Sequence, residues 1–121
     1  IIENDILYTK DKSKLVTVIS QIKGKFILDD NVKEIGNSAF YSQGEMTEID
    51  LKNVEKIGSN VFYSCNKLTG IDIPSTTVTI ANDAFNSASN LKEVVIHKAE
   101  NTIAGSPWSN PHGLRAIKWQ P

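Results

Sequence analysis

Apolar residues recur along this chain every 22 or 23 positions. Phe40, Phe62 and Phe85 are separated by 22 and then 23 residues, and a further 23 leads to Trp108. The same step carries Leu28 to Leu51, Ile73, Ile96 and Trp119, and Ile35 to Ile57, Ile80 and Ile103. Three apolar ladders with one shared period predict a solenoid in which each repeat is one coil and successive coils stack. Aligned on the ladders, coil 1 spans residues 26–45, coil 2 spans 46–67, coil 3 spans 68–90 and coil 4 spans 91–113, with a truncated unit at 114–119.

Each unit opens with apolar residues at relative positions 1, 4 and 6, as in Met46, Ile49 and Leu51, Leu68, Ile71 and Ile73, or Leu91, Val94 and Ile96. The alternation over positions 4 to 6 predicts a short strand with one buried face. Stacked coil on coil, these strands form a parallel sheet, which needs a closed solenoid or cover on both faces. The second half of the unit runs Val-x-x-Ile-Gly-x-x-Ala-Phe at Val32 to Phe40, with Val54, Ile57, Val61 and Phe62 at matching places in coil 2. In coil 3, Val78 stands one place out of step before Ile80, Ala84 and Phe85. The Val-to-Ile pair predicts a second, shorter strand. Gly36 and Gly58 permit a left-handed or tight turn after it, although Ala81 and Ala104 replace them later. The recurring aromatic reads as the core spine of the coils rather than as a ligand track.

The first 25 residues break the period. Ile6 to Thr9 and Leu15 to Ile19 flank the polar segment Lys10 to Lys14, a pattern that predicts a β-hairpin with a five-residue loop. Such a hairpin could cover the first coil, since solenoid ends expose strand edges and apolar faces that atypical units must cap. The expected organisation is a single domain over 1–121: a hairpin cap at 1–25, repeats at 26–113 and a terminal strand at 114–121. The chain opens on Ile1 rather than Met, which reads as an excised fragment of a larger protein.

Composition narrows the function classes. Thirteen basic and fourteen acidic side chains give a formal net charge of -1, too small a field to recruit nucleic acid or an anionic membrane. No apolar run is long enough to span a bilayer. The single cysteine, Cys65, forms no intrachain disulfide and says little about compartment. The catalytic inventory is poor. His97 and His112 lie 15 residues apart, and no Cys-x-x-Cys, His-x-x-x-His or carboxylate–histidine cluster stands at ligand spacing. Coil stacking could bring the two histidines together in an adventitious metal site, but no metal, cofactor or catalytic residue is expected. Cys65 and His97 are more than one coil apart, which argues against a Cys–His nucleophile.

What remains for recognition is the row between the buried rungs. Position 5 must face outward and carries Ile27, Asp50, Asp72, Val95 and Lys118, while position 3 carries Lys25, Glu48, Gly70, Glu93 and Ala116. With neighbouring strands about 4.8 Å apart, Glu48, Asp50, Asp72 and Glu93 should form a small acidic patch flanked by Ile27 and Val95. Glu48, Asp50, Asp72, Glu93, Val95 and Lys118 are thus the candidate partner-binding face, suited to a basic or amphipathic partner. An ordinary solvated sheet face has the same composition.

The units resemble the BspA-type, or treponemal-type, bacterial leucine-rich repeats, whose pattern is close to L-x-x-I-x-I-P-x-x-V-x-x-I-G-x-x-A-F-x-x-C. Leu68 to Pro74 matches its start, and Val54 to Cys65 its second half with Val61 in place of Ala. Ile6 to Ser20 is similar to the hairpin that often precedes these repeats, and Gly105 to Trp108 to the closing unit of such arrays. Gln43 and Ala88 fill the Cys position in the neighbouring coils, so Cys65 reads as a small core filler. The resemblance implies a leucine-rich-repeat solenoid, mostly β with irregular or short helical turns. It further implies a noncatalytic binding or adhesion module of a secreted or cell-surface bacterial protein, with a host or bacterial protein as partner; a monomer is the default expectation. A structural spacer in a surface protein and an accessory domain of a larger secreted enzyme are the competing readings.

Overall fold

The computed structural model describes residues 1–100, 102–104, 108 and 116–121. Among them are eleven strands and no helix: β1 (Ile2–Glu3), β2 (Ile6–Tyr8), β3 (Lys14–Val18), β4 (Gly24–Ile27), β5 (Glu34–Ile35), β6 (Met46–Asp50), β7 (Lys56–Ile57), β8 (Gly70–Ile73), β9 (Thr79–Ile80), β10 (Glu93–Ile96) and β11 (Ala116–Trp119). Each coil has three sides. The first bears the strand that opens the repeat, the second the two-residue strand of the Val-to-Ile segment, and the third a run of consecutive turns.

The second side is continuous, with strand order β1-β2-β3-β5-β7-β9. Its coil strands are parallel and in register, pairing Ile35 with Ile57 and Ile57 with Ile80. The first side is split. β4 pairs with β6, and β8 with β10 and β11, all in parallel, but no ladder joins β6 to β8 although they are spatial neighbours. The third side has no strands, yet its amides are used in strict alternation. Ser38, Phe40 and Ser42 donate to Ser59, Val61 and Tyr63 of the next coil at 2.8, 3.2 and 2.7 Å, while Ala39, Tyr41 and Gln43 donate three residues back within their own coil. Buried backbone groups in the turns are thereby paired without a helix.

The predicted ladders form the core. Phe40, Phe62 and Phe85 are fully buried, and their rings stack at centroid distances of 6.3 and 6.0 Å with interplanar angles of 14° and 4°. The spine continues into Trp108, 6.2 Å from Phe85 and nearly perpendicular to it, and from there to Trp119 at 6.0 Å. Trp108 donates its indole N–H to the Ile80 carbonyl at 3.1 Å, which satisfies the one polar group it buries. At the other end Phe26 meets Phe40 edge to face at 5.3 Å. Leu114, Gly105 to Pro107 and His112 lie outside the described residues.

Two expectations change in detail. Gly36 and Gly58 are not left-handed. Positive φ falls instead on Ser38 and Asn60, two residues on, and on Ser42, Ser64 and Ser87. Gly58 is needed for close approach: a Cβ there would lie 2.5 Å from Asn37 Oδ1, the oxygen that accepts the Ser59 amide at 2.9 Å. In coil 3 the buried rung that follows Val32 and Val54 is Thr77, not Val78. Thr77 is fully buried and Val78 is 46% exposed. The Thr77 hydroxyl donates to the Val54 carbonyl at 2.8 Å, so its polar group is paired, and the extra residue of this coil is absorbed in the turn before β9.

The hairpin forms with strands within a residue or so of the expected limits, but it caps by extension rather than by lying over the coil end. β3 pairs in parallel with β5 through Lys14–Glu34 and Leu15–Ile35, so the antiparallel β1-β2-β3 unit prolongs the second side. Ile6, Tyr8 and Leu15 are buried with the coil residues. β1 was not expected. It joins β2 through Asn4 and Asp5, both left-handed at φ 51° and 60°, the two-residue turn whose twist suits a hairpin. Gln43, the buried polar residue at the Cys place of coil 1, accepts the Ile22 amide at 2.8 Å and donates to Ser20 O at 3.0 Å. Its side chain supplies the contacts a preceding coil would have made. Lys12 closes the cap: its ammonium sits 2.9 Å from Asp29, 3.2 Å from Glu3 and 5.0 Å from the Tyr8 ring centroid.

Truncating Phe62 to Ala should destabilise the domain by about 3–5 kcal/mol, read as a lower urea midpoint with an unchanged slope. The cap contact is pH-dependent. The Asn31 amide and then the Lys12 ammonium hold the Asp29 carboxyl below its usual range. This contribution is complete above the ordinary aspartate value of about 4 and is lost as pH falls through the lower folded value. The thermal midpoint of an Asp29→Asn variant should therefore lie below that of the parent at neutral pH and converge with it in acid.

Candidate functional site

The first-side sheet presents the candidate face because strand alternation leaves it no choice. Ile49, Ile71 and Val94 point into the core, so the residues between them point out. Parallel pairing sets Ile27 opposite Asp50 in one ladder and Asp72, Val95 and Lys118 side by side in the other. Glu93 lies opposite Gly70 and Ala116.

The four carboxylates occupy one face, and two of them, Glu48 and Glu93, are offset by a lysine from a neighbouring strand while the His97 imidazole lies beside a third. Lys25 reaches Glu48 at 3.4 Å, His97 lies 3.8 Å from Asp72 and Lys118 reaches Glu93 at 3.3 Å. Asp50 accepts the Lys52 amide at 3.0 Å. The carboxylates thus share the face with lysines from neighbouring strands. The pairs are exposed, with the Glu48 and Asp72 side chains 66% and 75% accessible, so they add little to stability and are available for exchange with a partner. Lys25 and His97 were absent from the predicted set. Both could have been found from the ladders, since Lys25 shares position 3 with Glu48 and His97 directly follows β10.

The gap between the two ladders gives the face relief. Glu48, Asp50, Asp72, Pro74 and His97 edge a shallow depression of about 270 Å³ beside the gap. A broader one of about 510 Å³ lies over Gly70, between Glu48, Glu93 and Val95. Gly70 matters here because it offers no side chain at position 3, where its neighbours carry Glu48 and Glu93. Ile27, 56% exposed, and half-buried Val95 are apolar points in the charged field.

No group of three or more His, Cys, Asp or Glu residues able to hold a metal ion occurs among the described residues. Cys65 is fully buried and donates its S–H to Phe40 O at 3.1 Å. Burial pushes its thiol up to about 12, so it stays protonated and unreactive at neutral pH. No helix among the described residues is long and apolar enough to cross a membrane.

Closed parallel coils of 22 or 23 residues, with short strands on one side and irregular turns on another, define a leucine-rich-repeat solenoid. The chain belongs to the BspA type leucine rich repeat family, whose model matches residues 20–120 in six copies. A comparison with curated proteins gives no match. Among solved structures, the chain is similar to the pneumococcal vaccine antigen PcpA, with a TM-score of 0.62 and 19% identity over 79% of this chain and 30% of that one. The chain thus spans less than a third of the length of that relative. A leucine rich repeat protein of T. pallidum, TpLRR, also matches, at a TM-score of 0.40 and 14% identity over 94% of this chain and 81% of that one.

Native protein should react negligibly with a thiol-specific disulfide reagent at pH 8, and one equivalent should react promptly once urea unfolds the coils. Rapid labelling of folded protein would contradict the core placement of Cys65.

Proposed function

We propose that this chain is a noncatalytic protein-binding module displayed outside a bacterial cell, and that it engages its partner through the first-side sheet. The observation that carries the reading is the combination of relief and chemistry at the ladder gap. Glu48, Asp50 and Asp72 line a depression shared with Lys25, Lys52 and His97, with Glu93, Val95 and Lys118 continuing the face. Exposed charge pairs of this kind speed encounter and select orientation more than they add affinity, and Ile27 and Val95 supply apolar contact within the charged ring. The partner that fits is a protein surface with basic and apolar groups interleaved. Membership of a repeat family associated with bacterial surface and secreted proteins supports the location. The stacked coils leave recognition to the surface, since their centre is filled by side chains.

Affinity capture from host-matrix and bacterial-surface extracts, with parent and Asp50→Lys/Asp72→Lys protein as paired baits, tests this reading. Proteins retained by the parent and lost by at least about tenfold with the variant are the expected result. Equal retention by both would remove this face, and no specific retention by either would favour a spacer.

A further inference from the structure

The N-terminal end of the stack is finished unequally on its two sheets. On the second side, β3, β2 and β1 carry the sheet beyond β5. On the first side β4 is the last strand, and no strand among the described residues pairs with its outer edge. Gly24 and Leu28 donate their amides toward β6, to Glu45 O and Asp50 O, each at 3.0 Å. Strand alternation turns the N–H and C=O groups of Lys25 and Ile27 the opposite way, and no described residue bonds to them there. Free backbone groups on a regular edge are a template for one more strand.

The edge opens onto a groove. The hairpin stands beyond β4 by three strands, about 14 Å at the usual strand spacing. Between them lies a groove of about 390 Å³. Its lining includes Val18, Ile22 and Phe26, which are only partly buried against the core. Ile27 stands on its rim, 56% exposed. The charged residues that line it are Glu3 and Asp29, and these two carboxylates share a single ammonium, that of Lys12. The groove therefore combines apolar surface with an excess of negative charge.

We propose that β4 receives an extended segment of a partner protein as a further strand, with an apolar and a basic side chain, two residues apart, turned into the groove. Main-chain hydrogen bonds to Lys25 and Ile27 hold such a strand, and its alternate side chains give selectivity. The residue opposite Phe26 faces inward and covers the apolar floor. The next inward residue lies opposite Leu28, beside Asp29, where a basic group balances the excess carboxylate. A second copy of this chain fits less well. Its end strand β11 could meet β4 edge to edge, but the coils behind β11 carry a second side of their own, where Ala104 bridges to Thr79. That side would run into the space that β1 and β2 occupy. A lone strand brings nothing behind it. This surface is separate from the ladder gap and does not depend on it.

Titration with the acetylated and amidated peptide Ser-Thr-Val-Thr-Lys-Thr-Ser, and with the same residues in reverse order, tests the proposal. At least one should bind saturably with a Kd of about 1 mM or tighter. Replacing its Lys by Glu should weaken it by about fivefold or more. N-methylation of every second amide gives two forms of the binding peptide with the same side chains. One form should bind about tenfold more weakly and the other as before, because only one edge of the peptide faces β4. Ile27→Pro removes an edge amide that the β4–β6 ladder does not use, and proline is tolerated on edge strands. Its thermal midpoint should stay close to the parent's while affinity falls by about tenfold. The methylated peptides decide the matter on the parent protein even if this variant fails to fold. Asp50→Lys/Asp72→Lys protein should bind the peptide as the parent does, so the two surfaces are tested apart. The proposal is overturned if neither peptide binds at about 10 mM, if both methylated forms bind alike, or if the Glu peptide binds as tightly as the Lys peptide. It is also overturned if sedimentation shows a dimer of the parent that Ile27→Pro abolishes, which would assign the edge to a second copy.

Discussion

A phenylalanine ring of one coil can lie on the ring of the next only if every turn between them, in coils of 22 or 23 residues, brings the chain back into register. That requirement organises the molecule. It sets Phe40, Phe62 and Phe85 in one stack, and the same advance aligns Ile35, Ile57 and Ile80 on the second side. The hydrogen bonds of the third side serve the same register, since Phe40 donates to Val61 O and Phe62 to Ala84 O. Burial of the rings and pairing of the backbone are therefore coupled, and loss of one ring leaves a cavity that neighbouring coils cannot close without slipping.

A stack has two ends, and the N-terminal one is handled with side chains that imitate a missing coil. Phe26 turns edge-on to Phe40 in place of a further stacked ring. Gln43 stands where the next coils have Cys65 and Ala88, and its amide satisfies the backbone of the segment that enters coil 1. The three-stranded antiparallel unit prolongs the second side, and Lys12 ties it to Asp29. The first side receives no such extension: β4 pairs only with β6.

Because the core and the second side are committed to stacking, the outward residues of the first and third sides are the ones free to differ. Their chemistry is opposite. The first side carries carboxylates and lysines over shallow relief. The third is nearly uncharged and carries the stacked rings of Tyr41 and Tyr63. A repeat that varies only at outward positions can thus offer two unlike surfaces without disturbing the register between coils.

The sequence alone determined the period, the core rungs and the outward row, because burial on a strand follows from alternation and burial in a solenoid follows from the repeat. Cys65 and Trp108 were legible as core for the same reason. Tertiary structure decided what depends on contacts between coils. It placed Thr77 rather than Val78 inward, because Val54 O offers the hydroxyl a partner across the coil boundary. It gave Gly58 a packing role against Asn37 and moved the left-handed turns to serine and asparagine. It also split the first side between β6 and β8 and brought Lys25, His97 and Lys118 to the carboxylates. A linear pattern states which side chains share a face, but the distances between them, and so the charge a partner meets, are set only when the coils are stacked.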